Sequence, residues 1–192
     1  EAKIQDVYIN YPRSFSLGAI LPQIRLEIGP MAAWHPNESH QIKSYAAERY
    51  HHLFTRPSTT VRVTSCVRNF WEKATILHQE AHRSAEKPLP PRYSRHYYDL
   101  FRLSRLPVCD EALSRIDLLQ EVVTFKQRFY RCSWARYEAA TPGSFRLIPP
   151  EAQLGRLQQD YRAMQSMLFG QVPEFDDMIG GLKELERRLN HA

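Results

Sequence analysis

The spacing of the apolar residues changes once along this chain, near residue 67, and that change constrains the fold more than any other feature. Before it, apolar and polar side chains alternate: Ile4-Gln5-Asp6-Val7-Tyr8-Ile9-Asn10-Tyr11, then Gln23-Ile24-Arg25-Leu26-Glu27-Ile28-Gly29. A period of two is that of a strand, so residues 4–11 and 23–29 are predicted strands joined by a connection containing Pro and Gly. The β-branched run Val61-Arg62-Val63-Thr64-Ser65-Cys66 is a third. A polar segment rich in Pro and His separates the second from the third, with a short helix expected around Ser44–Tyr50.

Past residue 67 the period is helical. Phe70, Ala74, Leu77 and Ala81 fall on one face of an amphipathic helix. Lys87-Pro88-Leu89-Pro90-Pro91 cannot continue it and reads as a stiff connector. A second helix is expected over Ser94–Leu106, closed by Pro107, and a third over 110–138, burying Ile116, Leu119 and Val123. Thr141-Pro142-Gly143 and Pro149-Pro150 bracket a loop. Leu154, Leu157, Tyr161, Met164 and Leu168 then keep a 3/4 spacing, as do Phe175, Met178, Leu182, Leu185 and Leu189. These stripes predict an antiparallel helical hairpin turning near Gly170–Pro173, its apolar faces spent on core. The fold class is α+β: sheet region over 1–66, helical lobe over 67–192.

Composition excludes several classes. With 43% hydrophobic residues the chain can bury a core, which excludes wholesale disorder. Cys66, Cys109 and Cys132 are odd in number and form no C-x-x-C pair, so they read as reduced thiols of a cytoplasmic protein. No apolar run reaches the roughly 18 residues that span a bilayer. The net charge of +5 suits a phosphate-rich partner such as a nucleotide or RNA.

Two helices carry the chemistry. Phe70-Trp71-Glu72-Lys73-Ala74-Thr75-Ile76-Leu77-His78 holds Lys73 at the edge of its apolar stripe. Its stem can pack while its ammonium meets phosphate, or it is a snorkelling surface lysine. Arg92-Tyr93-Ser94-Arg95-His96-Tyr97-Tyr98-Asp99-Leu100 holds Asp99 on one face with Arg95 and Arg102. That is either an intrahelical ion pair or an acid oriented beside a nucleotide. Glu27, on a strand opposite the face of Leu26 and Ile28, is a candidate Mg²⁺ ligand. His78 and His82 have the i,i+4 spacing of a zinc pair, without the Glu of H-E-x-x-H and without an evident third ligand. A His-based metalloenzyme remains as a rival.

The two quoted segments, with Ile24–Gly29 upstream and Leu157–Met164 downstream, resemble the AbiEii/AbiGii toxin family of nucleotidyltransferases, over its C-terminal two-thirds. The resemblance implies a polymerase-β-like nucleotidyltransferase sheet with a helical C-terminal lobe. It implies transfer of a nucleoside monophosphate from an NTP to RNA, such as the 3′ end of a tRNA, rather than to DNA. It implies Mg²⁺ as cofactor and a cognate antitoxin as partner. Lys73 matches the family's phosphate-contacting lysine, Asp99 its downstream functional aspartate, and Glu27 its third acid; Arg95 and Arg102 would orient Asp99 or meet phosphate. The family's Gly-Gly-Thr/Ser motif and Asp-x-Asp pair have no counterpart in the sequence. The expectation is therefore a chain without its metal-binding front, inactive alone, from an active longer enzyme. The alternative is a non-catalytic RNA- or protein-binding homologue, with basic helices such as Lys126–Arg136 as its surface.

Overall fold

A computed structural model describes residues 5–13, 21–29 and 35–191. The chain divides into two compact units, Glu1–Trp34 and His35–Ala192. The class is α+β, as expected.

In the first unit β1 (Gln5–Asn10) pairs antiparallel with β2 (Gln23–Ile28). Ile4 of the expected strand and residues 14–20 of the connection lie outside the described residues. The register sets Val7 opposite Leu26 and Ile9 opposite Ile24, so the apolar residues share one face. Asp6 stands opposite Glu27 on the other face. Two facing carboxylates repel; Arg25 resolves this by reaching Asp6 at 2.9 Å and Glu27 at 3.0 Å.

The second unit begins with β3 (Asn37–Lys43), antiparallel to β4 (Ser58–Thr64). The polar segment before the third predicted strand thus contains a strand that the alternation does not predict. β3 reads Asn-Glu-Ser-His-Gln-Ile-Lys and is exposed on both faces, so it carries no apolar alternation; pairing with β4 makes it a strand. Among the described residues the four strands form two separate hairpins. Between β3 and β4 lies the short helix α1 (Tyr45–Arg49), where Ser44 Oγ accepts from the Ala47 N–H. β4 ends two residues earlier than its β-branched run suggests, because Ser65 caps the next helix by accepting from the Arg68 N–H.

That helix, α2 (Cys66–Ala81), is the centre of the body. It packs on α3 (Ser94–Ser104), α4 (Val108–Ser114) and α5 (Ile116–Phe129). Phe70, Trp71, Ala74 and Leu77 are fully buried, with Tyr97 and Leu100 against them. The expected single helix over 110–138 is broken at Arg115 and ends at Phe129. Cys109, Ala112, Ile116, Leu119 and Val123 keep one helical stripe straight through the break, and no Pro or Gly marks it. Periodicity therefore could not reveal it.

α6 (Glu151–Met164) and α7 (Phe175–Asn190) turn around Gly170, whose φ is +74°, and bury the predicted stripes. Both pack chiefly on α3. At α3 and α7 the approach is close: a Cβ on Gly181 would stand 2.5 Å from the Phe101 ring. α3 has no cap of its own. Asp160 of α6 supplies one, its carboxylate accepting from the Arg92 N–H at 2.7 Å and the Ser94 N–H at 2.9 Å. The Ser94 hydroxyl donates to the same group. The three cysteines are free thiols.

Candidate active site

α2 turns Lys73, and α3 turns His96 and Asp99, into their shared seam. Ala74 and Leu77 hold α2 in the core, which leaves Lys73 at the rim; Tyr97 and Leu100 do the same for α3 and Asp99. The Lys73 ammonium donates to Asp99 Oδ2 at 2.7 Å. It also donates to His96 Nδ1 at 3.3 Å. A lysine has no acceptor, so His96 Nδ1 must be the bare nitrogen of a neutral ring. Burial, and then the neighbouring Lys73 charge, lower the His96 pKa to about 4, which keeps the ring neutral. The Lys73 and Asp99 side chains are 18% and 39% exposed, so a solute can reach both.

Behind this pair lies a second polar group that sequence reasoning missed. Glu72 accepts from Arg68 at 3.3 Å, and Lys126 stands 3.5 Å from its other oxygen. Arg68 is almost fully buried and also donates to the His35 carbonyl, tying the base of the β3–β4 hairpin to α2. Two carboxylates, Glu72 and Asp99, thus face three cations, Arg68, Lys73 and Lys126. Glu121, itself exposed, reaches Arg68 only at 4.0 Å. Arg68 and Glu72 were readable as an i,i+4 pair. Lys126 was readable as a lysine continuing the buried stripe of Leu119, Val122 and Val123. Its burial corrects the expectation that Lys126–Arg136 forms an exposed basic helix.

The other candidates fall elsewhere. Arg95 and Arg102 are exposed on α3, and Asp99 turns to Lys73 for its hydrogen bond. Arg102 lines a groove with Arg105, Gln171 and Asp177. Glu27 belongs to the first unit and is paired with Arg25. His78 donates from Nε2 to the Arg136 carbonyl at 3.0 Å and accepts at Nδ1 from the Arg146 N–H at 3.1 Å. Both ring nitrogens are thereby spent on backbone, and burial lowers its pKa to about 4. His82 donates from Nδ1 to the His78 carbonyl. His78 ties two loop segments to α2 and His82 bonds within its own helix end, which removes the motive for a zinc reading.

A seam with an accessible lysine, an adjacent acid and surplus positive charge fits a polyphosphate ligand. The family model of the nucleotidyl transferase AbiEii toxins, of type IV toxin–antitoxin systems, matches residues 2–180. The chain belongs to that family. No curated protein and no solved structure matches it. Membership makes the AbiEii-family chain a nucleotidyltransferase toxin of a toxin–antitoxin system in general terms. Nucleotidyl transfer commonly uses divalent ions held by several carboxylates. Among the described residues no three His, Cys, Asp or Glu side chains gather into a metal-holding group. Asp99 beside an ammonium does not fit Mg²⁺ by itself; these residues offer the cationic half of such a site. Among the described residues no helix is long and apolar enough to cross a membrane.

Proposed function

We propose that this protein belongs to an enzyme that transfers a nucleoside monophosphate from an NTP to RNA, tRNA being the first acceptor to try. The observation that carries the reading is the Lys73 ammonium on Asp99 and neutral His96 in an accessible seam. An ammonium has three N–H donors, and two are engaged here. The third is available for a phosphate oxygen, and the compact charge offsets the negative charge that grows on departing pyrophosphate. Asp99 holds the ammonium in place before the nucleotide arrives and shares the site with it afterwards. Arg95 and Arg102, exposed on the same helix, are positioned to meet phosphate or RNA backbone.

In this reading residues 67–192 are the helical lobe and 1–66 belong to the nucleotidyltransferase sheet region. Glu27 is the candidate Mg²⁺ ligand there. The protein acts in the cytoplasm, and its partner is a cognate antitoxin.

The test uses the full-length protein with labelled NTP, Mg²⁺ and total RNA. Labelled RNA is expected, and Lys73→Ala should abolish the label. Undiminished labelling by the variant overturns the assignment of Lys73. Salt-sensitive RNA binding without any labelling would favour a non-catalytic homologue.

A further inference from the structure

The contact between α2 and α5 contains a charge that the packing does not require. Lys126 is 6% exposed, in the last turn of α5. Its ammonium donates to the Glu72 carbonyl at 3.0 Å and stands 3.5 Å from Glu72 Oε2. Neither acceptor depends on it. The Glu72 carbonyl also accepts from Thr75 Oγ1 at 3.1 Å, and the carboxylate keeps Arg68 and, at 29% exposure, water. A methionine at 126 would therefore strand no polar atom. An ammonium buried without structural need opposes folding, because desolvation is offset only in part by its partner. Consistently, burial outweighs Glu72 and lowers the Lys126 pKa to about 8.

Its surroundings suggest what it is kept for. The charged and titratable groups facing it are Arg68, Glu72 and Lys73 of α2 and His96 of α3. Two of these, Lys73 and His96, belong to the seam itself. Glu72 alone would set a negative potential beside any phosphate that Lys73 receives. Arg68 and Lys126 together place two positive charges on that one carboxylate and leave the rim positive.

We propose that Lys126 is a positioning residue of the polyphosphate site: by engaging Glu72 it keeps the field at Lys73 positive and Lys73 available to the ligand. The proposal rests on the reading of Lys73 as the phosphate-binding lysine. Lys126 itself stays behind α2 and touches no substrate.

The experiment titrates inorganic tripolyphosphate into the whole chain by calorimetry, with melting temperatures measured alongside. The wild type should bind, and Lys73→Met should lose binding. Lys126→Met should bind about tenfold or more weakly, yet melt at the same or a higher temperature. Lys126→Arg should restore affinity. Wild-type affinity should also fall as pH rises through about 8, where Lys126 loses its proton; Lys126→Arg should lack that limb. A pH change common to both proteins belongs to the ligand. Undiminished binding by Lys126→Met overturns the proposal, and so does a lowered melting temperature, which would make Lys126 a structural residue. No binding by the wild type, or full binding by Lys73→Met, overturns the Lys73 reading and this role with it.

Discussion

Two of the ion pairs on α2, Glu80–Arg83 and Lys73–Asp99, are built in opposite ways. Toward the helix C-terminus Glu80, with no exposure, is gripped by Arg83 through two of the guanidinium nitrogens, Nε and Nη2. Gln79 also donates to Glu80, and Tyr137 to Gln79. Arg83 lies over the Trp134 ring at 4.5 Å, and that stacking completes the seal. Glu80 and Arg83 stand three residues apart, Arg83 just past the end of α2, so their pairing needs no partner helix. Lys73 and Asp99 come from different helices and stay reachable by water. The first pair closes a surface; the second keeps one open. Burial, rather than charge, separates a structural pair from a candidate functional one.

The largest break in that comparison should come from the sealed side. Glu80→Ala leaves Arg83 confined without its carboxylate and should cost about 3 kcal/mol of stability, read by urea denaturation. A loss under 1 kcal/mol would mean that the pair is not sealed. Acid should act next. His78 has a folded pKa near 4 against an unfolded value near 6.5. The unfolded chain therefore binds the extra proton between those values, and stability falls as pH drops from 6.5 toward 4. The expected loss from His78 is on the order of 2 kcal/mol, and His78→Gln should make that part of the stability–pH curve shallower, with buried His96 supplying the remaining slope.

A smaller change should follow at the start of α3. Asp160→Ala removes the cap borrowed from α6 and should cost about 1 kcal/mol. Because α3 carries Asp99, nucleotide affinity should fall with it; unchanged affinity would mean that the seam does not depend on that cap. The smallest effect belongs to the open side. Lys73→Ala should change stability by less than about 1 kcal/mol, although transfer is expected to vanish. A stability loss as large as that of Glu80→Ala would erase the contrast between the two pairs.

Much of the body could be read before folding. The stripes of α2, α6 and α7 lie in the core where their spacing puts them, and Ser44–Tyr50 forms the expected helix. What escaped reading had no periodic signature. β3 is polar on both faces, and the break at Arg115 leaves its stripe intact. The candidate site was half legible. Lys73 and Asp99 stood out by sequence, but the helical spacing of Asp99 pointed to Arg95 and Arg102, which are its neighbours along one helix. In the fold Asp99 meets Lys73, 26 residues away, and neutral His96 completes the contact. Lys126 opens a basic run in the sequence, yet its place on the apolar stripe of α5 marks it for burial.

The sequence by itself determined that the chain turns helical past residue 67, which faces are apolar, and the family to which the chain belongs, because period and local motif are properties of neighbouring residues. Only the tertiary structure decided which faces meet. It assigned Asp99 to Lys73, Glu72 to Arg68 and Lys126, and both nitrogens of His78 to backbone. Those choices depend on the packing of separate helices, and a one-dimensional pattern records that a face is buried without recording against what.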